Sequence, residues 1–174
     1  FENTYTNNPI CCPSRASMWS GLYTFHCEGW NNYKGLEPGS ETFQTYLEAA
    51  GYNTGIFGKT DYLSGGHTIR ARVSPWTRSA NIAKPNYNME APEIIETQEV
   101  RIHEGDWNTT DKAIQWMEGA VEDDRPFFLY LGINTPHPRF ITSRYYLNMI
   151  DIDKIEIPPE DKELHPVMEY QRIN

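Results

Sequence analysis

Hydrophobic positions fall at helical spacing in two stretches of the chain, and each stretch is followed by a run of strand length. Phe43, Tyr46, Leu47 and Ala50 share one helix face, Ser40 or Thr42 can cap it, and Gly51 supplies the C′ position. Tyr52 to Gly58 then reads as a strand. The pattern repeats with Ala113, Ile114, Trp116, Met117 and Ala120, for which Thr109 or Thr110 is the expected cap and Arg125-Pro126 the break. Phe127-Phe128-Leu129-Tyr130-Leu131-Gly132-Ile133 is an unbroken apolar run, as expected of a strand covered on both faces in a parallel α/β sheet. Asn134-Thr135-Pro136-His137-Pro138 must then be a loop at the carboxyl end of that strand, the edge where open α/β sheets bind ligands.

The rest is less periodic. A short helix is expected over Ser14 to Trp19, with Pro13 in its first turn and Gly21 as its stop. Gly29 to Gly39 reads as a surface loop. Ser64 to Glu99 is irregular, with Glu90, Glu93, Glu96 and Glu99 on a solvated face. Phe1 to Tyr5 resembles the middle of a strand, and Met168 to Asn174 a helix cut short, so the sequence reads as a piece of a longer chain. A missing leader therefore carries no information about localisation. There is no internal repeat and no low-complexity tract.

Composition narrows the function classes. The 174 residues are 39% hydrophobic, 13% aromatic and 22% charged, as in a globular domain with room for one sizeable core. No apolar run approaches the ~20 residues that cross a bilayer. A net charge of −9 argues against a nucleic-acid partner. Three cysteines are too few for a disulfide scaffold.

The sharpest local feature is Cys11-Cys12-Pro13-Ser14-Arg15, continued to Ser20-Gly21. At average residue usage a Cys-x-Pro-Ser-Arg string arises by chance in about one in a few thousand chains of this length. Adjacent cysteines alone would suggest a strained disulfide or a buried thiol pair. A metal or thiol site formed with Cys27 lacks the usual ligand spacing. The full string instead resembles the first signature of the type I sulfatases, with Ser20 where threonine is usual. Gly51-Tyr52-Asn53-Thr54-Gly55-Ile56-Phe57-Gly58-Lys59 is similar to the second signature of the same family, downstream in the expected order.

That resemblance implies an alkaline-phosphatase-like α/β fold with a mostly parallel central sheet flanked by helices, residues 1–174 forming part of the N-terminal catalytic domain. It implies that Cys11 is oxidised to formylglycine during secretion by the formylglycine-generating enzyme. The chemistry has a physical rationale. A thiolate or alkoxide that attacked a sulfate ester would become sulfated and need a second, difficult displacement to clear it. An aldehyde hydrate carries two hydroxyls on one carbon: one attacks sulfur, and deprotonation of the other expels sulfate. Making that hydrate acidic calls for a divalent cation and nearby cationic groups. Arg15, one helical turn from Cys11, is spaced to hold it.

By the same resemblance Lys59 reaches the substrate sulfate, and His137 contacts it or protonates the leaving oxygen. His165, in a second His-Pro pair, is a further substrate-binding candidate; His26 and His103 lack motif support. Asp61 stands where many members have a histidine that contacts the formylglycine hydroxyl, and His67 is a candidate substitute. Trp30 to Leu36, Phe57 to Tyr62, Asp106-Trp107, Thr110 to Ala113 and Leu164 to Val167 resemble one branch of the family, which shares that aspartate. The branch implies hydrolysis of 2-O-sulfate on glucuronate in glycosaminoglycans, in a lysosomal or secreted setting. Lys59, Arg70, Arg72, Arg78 and Lys84 form a basic stretch that can face such a polyanion or simply be solvated.

By the resemblance, the family's Ca²⁺ takes an Asp-Asp pair from a strand before Phe1 and an Asp-His or Asp-Asn pair well after Asn174, leaving residue 11, as formylglycine, the one expected ligand here. The isolated segment is accordingly expected to be inactive. Asn108-Thr109-Thr110 is a glycosylation sequon. A phosphoester or phosphonate hydrolase of the same fold, and an inactive homologue that binds sulfated glycans, remain alternatives.

Overall fold

A computed structural model describes residues 3–32, 34–63, 91–137, 139–157, 159 and 164–173, the last three of these without their side chains. The elements, in order, are α1 (Cys11–Ser20), α2 (Phe43–Ala49), β1 (Asn53–Gly58), β2 (Glu93–Ile95), α3 (Glu104–Ala120), β3 (Phe127–Gly132), β4 (Ile141–Ser143), α4 (Arg144–Leu147), a 3₁₀ turn (Ile152–Lys154) and α5 (Pro166–Ile173). They group into two compact units, one of residues 1–93 and 101–141, the other of 94–100 and 142–174.

The first unit is α/β. Strands β1 and β3 pair in parallel from Asn53↔Phe127 to Gly58↔Gly132, so the α2–β1 and α3–β3 units predicted from periodicity lie side by side. Side chains alternate across a strand, and the aromatic contacts follow that alternation. Phe57 and Phe127 meet Trp116 of α3. Phe128 meets Phe43 of α2, and Tyr130 meets Trp19 of α1. Gly55 faces α3, where a Cβ would stand 2.7 Å from the Trp116 ring, so only glycine fits. Trp19, wholly buried with Ala16 and Leu36, centres the other face, its ring stacked on Phe43 at 4.5 Å and Tyr62 at 4.1 Å.

Several boundaries differ from the sequence reading. α3 starts at Glu104, five residues before Thr109, with His103 at its N-cap. Thr109 and Thr110 do not cap it; their hydroxyls donate back to the carbonyls of Gly105 and Asp106, the bond a threonine makes inside a helix. Gly105 and the absence of a Ser, Thr, Asp or Asn cap hide the true start. In the Gly29–Gly39 loop, Leu36 is buried and bridges Leu63. Residues 3–6 are irregular rather than strand. β3 has helices on both faces, yet Phe127 and Leu131 stay partly exposed, so its coverage is incomplete among the described residues. Where the caps were read correctly, they hold. Thr42 and Thr45 form a reciprocal capping box on α2, and Gly21 ends α1 at φ 71°.

The second unit contains α4, the 3₁₀ turn and α5. Arg144 and Glu96 pair through a two-pronged ion pair, and the Tyr146 hydroxyl donates to the Val100 carbonyl at 3.0 Å. The short β2 pairs with β4, a strand the irregular 64–99 pattern did not predict.

Candidate active site

Cys11 is the first residue of α1 and is partly exposed. The N-terminus of a helix leaves backbone N–H groups without partners, and Ile10 at the N-cap has no side chain to satisfy them. Asn32, twenty-one residues along the chain from Cys11, fills that role: its Oδ1 accepts from the Cys12 N–H at 3.1 Å and from the Cys11 thiol at 3.0 Å. Sequence reasoning assigned Asn32 no function, because nothing local connects it to α1. No disulfide forms: Cys11, Cys12 and Cys27 are all free. Burial, reinforced by Cys11, Asp61 and Cys27, pushes the Cys12 thiol up to about 11.

Arg15 lies on the same face as Cys11, four residues on. Its Nη1 donates to the Tyr130 hydroxyl at 2.7 Å and to the Lys59 carbonyl at 3.0 Å, and the Tyr130 hydroxyl also donates to that carbonyl at 3.1 Å. One guanidinium therefore ties the first signature to the second. Cys11 and Arg15 line an open hollow of about 400 Å³ with Pro9, Ile10, Ser14, Met18 and Tyr130.

Lys59 follows β1 through a tight backbone crossing. Gly58 has φ 79°, and a Cβ there would stand 2.1 Å from the Gly132 carbonyl oxygen. The glycine of the signature is thus required by both conformation and close approach. The Lys59 N–H donates to Gly132 O at 2.8 Å. Its side chain is only 16% exposed, and Nζ lies 3.4 Å from Asp61, which takes φ 41°.

A second open hollow, about 470 Å³, brings Lys59 together with His103, Asp106, Thr109, Asn134, Thr135, His137 and Arg139. His137 is exposed on the loop after β3, its N–H donating to Asn134 O at 2.9 Å. His103, which no motif singled out, contributes its Nε2, 3.0 Å from the Ile141 carbonyl. Burial raises the Asp106 pKa, but hydrogen bonds from Thr135 and Asn134, together with the nearby His103, outweigh it and hold the carboxyl below its usual range.

The structure thus brings Cys11 and Arg15 together, brings Lys59 and His137 together, and links the pairs through Arg15 and the Lys59 backbone. His165 belongs to the second unit, where its Nδ1 accepts from the Val167 N–H at 3.2 Å and caps α5. His26 packs on Phe25. His67, Arg70, Arg72, Arg78 and Lys84 lie outside the described residues; Asn108 is exposed on α3. Among the described residues no three His, Cys, Asp or Glu side chains cluster to hold a metal ion, so these residues do not by themselves fit Ca²⁺. No helix among them is long and apolar enough to cross a membrane.

A parallel α/β unit that carries a Cys-x-Pro-Ser-Arg helix start joined to a Gly-Lys strand end has the framework of a sulfatase domain, and the sulfatase family model matches residues 1–155. The chain belongs to the sulfatase family. It is 44% identical to dog arylsulfatase K and 43% identical to human arylsulfatase K, each over 98% of its length, and 37% identical to zebrafish arylsulfatase K over 99%. It spans about a third of those relatives, 35 to 36% of their length.

Proposed function

We propose that this chain is the nucleophile-bearing part of a sulfuric ester hydrolase that removes 2-O-sulfate from glucuronate of glycosaminoglycans, in the lysosome or after secretion. The observation that carries the reading is the bond from Arg15 to the Lys59 carbonyl, because it joins two signatures 44 residues apart into one cationic edge. Residue 11, converted to formylglycine, would supply an aldehyde whose hydrate carries two hydroxyls on one carbon, one to attack sulfur and one whose deprotonation expels sulfate and restores the aldehyde. It suits the position: Cys11 is accessible and borders an open hollow, whereas Cys12 is buried.

The chain's own groups then have separable tasks. Arg15, held by Tyr130 and the Lys59 backbone, presents fixed positive charge beside residue 11 and lowers the cost of negative charge there. Lys59 engages the sulfate oxygens as a mostly buried cation. His137, on an exposed loop at the rim of the same hollow as Lys59, is suited to contact sulfate or to protonate the leaving sugar oxygen. Asp61, beside Lys59, occupies the position where many family members carry histidine. No step is assigned to Ca²⁺, which the described residues do not hold. Maturation requires the formylglycine-generating enzyme as partner, and Asn108 is the expected glycosylation position.

The test is sulfate release by the full-length protein from a 2-O-sulfated glucuronide, compared with phosphate release from the matching phosphoester. Preferential sulfate release, lost in Cys11→Ala, supports the reading. Preferential phosphate release favours a phosphoester hydrolase of the same fold. Binding of the sulfated sugar without turnover favours an inactive glycan-binding homologue.

A further inference from the structure

The geometry points to Asp106 as a positioning residue that fixes the loop after β3 and so sets where His137 stands over the hollow it shares with Lys59. This rests on the reading of His137 as a substrate contact. Asp106 sits in the first turn of α3, where a carboxylate ordinarily serves its own helix. Here both oxygens are turned to another segment. Oδ1 accepts from the Asn134 N–H at 2.9 Å; Oδ2 accepts from the Thr135 N–H at 2.9 Å and from the Thr135 hydroxyl. Charge-assisted bonds of this kind are roughly twice as strong as neutral ones, and three of them converge on two consecutive residues.

The consequence for His137 follows from chain connectivity. The His137 N–H closes a turn onto the Asn134 carbonyl at 2.9 Å, so the histidine is two residues from one clamped position and hydrogen-bonded to the other. At the loop's start, Gly132 O holds the Lys59 N–H. The segment from 132 to 137 is therefore pinned to Lys59 at one end and to α3 at the other. An exposed loop without such ties samples local openings at little cost. Asp106→Asn removes the charge and leaves one amide oxygen for donors that reach both carboxylate oxygens. Whichever way the amide turns, its NH2 faces the N–H of Asn134 or of Thr135, and the clamp is weakened without a change in volume.

A double-mutant cycle on the full-length protein, read as kcat/KM for a 2-O-sulfated glucuronide, separates positioning from general support of the fold. Asp106→Asn is expected to lose about ten- to a hundred-fold, the scale of a misplacement near 1 Å. In a His137→Ala background the same substitution is expected to cost less than about twofold, because the group it positions is gone. An equal loss in both backgrounds would overturn the role of Asp106 while leaving that of His137 intact. Wild-type activity of His137→Ala would instead overturn the reading of His137, and this inference with it. Thr135→Val removes one of the three bonds and repeats the cycle if Asp106→Asn fails to fold, with a smaller loss that again vanishes beside His137→Ala.

Discussion

The two hollows of the first unit are built in opposite ways. The hollow at Cys11 comes almost entirely from one short helix and the residues just before it, closed by Tyr130 from β3. The hollow at Lys59 and His137 is assembled from the ends of β1 and β3 and from the first turns of α3, elements far apart in sequence. The first takes its cysteine and arginine from one local element, a helix N-terminus with a cysteine at its first position and an arginine one turn on, with Asn32 and Tyr130 supporting it from elsewhere in the chain. The second exists only after β1 and β3 pair and α3 packs against them. Under the proposed mechanism, the chemistry that depends on one reacting atom belongs to the local construction and recognition of a larger group to the assembled one. Arg15 spans the two, since its partners are a backbone carbonyl and a tyrosine of the assembled part.

That division can be broken experimentally, and the largest effect is expected at the local end. Cys11→Ala in the full-length protein should abolish turnover, by about a thousand-fold or more, with an unchanged thermal midpoint. A comparable drop in Tm would make Cys11 structural instead. Next is Gly58→Ala, which forces a side chain into a left-handed backbone and onto Gly132 O. We expect about 3 kcal/mol or more of lost stability by denaturant unfolding, and activity falling with it.

Arg15→Lys sharpens the link between the hollows. It keeps the charge but not the fork, and should lower kcat by about a hundred-fold. Tyr130→Phe, which leaves the Arg15–Lys59 bond in place, should cost only a few-fold and about 1 kcal/mol. Lys59→Ala should act mainly on KM, about ten-fold, as expected of a group that binds sulfate before reaction.

The smallest effect is on alkaline stability. Cys12 has a folded pKa of about 11 against an ordinary 9.0, so the unfolded chain loses that proton first. Stability that the neutral thiol contributes is complete below pH 9 and is lost as pH rises towards 11. Cys12→Ala should flatten that slope, measured as unfolding midpoints across the range.

Legibility followed the same line. α1, α2, β1 and β3 were readable because their signals are local: Pro13 in a first turn, Thr42 as a cap, Gly21 and Gly51 as stops, an unbroken apolar run in β3. The signature residues Cys11, Arg15 and Lys59 were readable as words. What the sequence hid is non-local. Asn32 caps α1 from a distant loop, and Leu36 leaves an apparently exposed loop for the core. His103 and Asp106 are drawn to the second hollow by a helix start that no standard cap marks. His165 accepts from the Val167 N–H at the start of α5, a local task that its His-Pro pair suits and that leaves its substrate-binding role a proposal.

The most direct measurement of the central claim is mass spectrometry of the Cys11 peptide from mature full-length protein secreted by cells that contain the formylglycine-generating enzyme. The account predicts a residue that has exchanged sulfur for oxygen with loss of two hydrogens and that reacts with a hydrazide. An intact thiol at Cys11 in protein that hydrolyses sulfate esters at its full rate would contradict it.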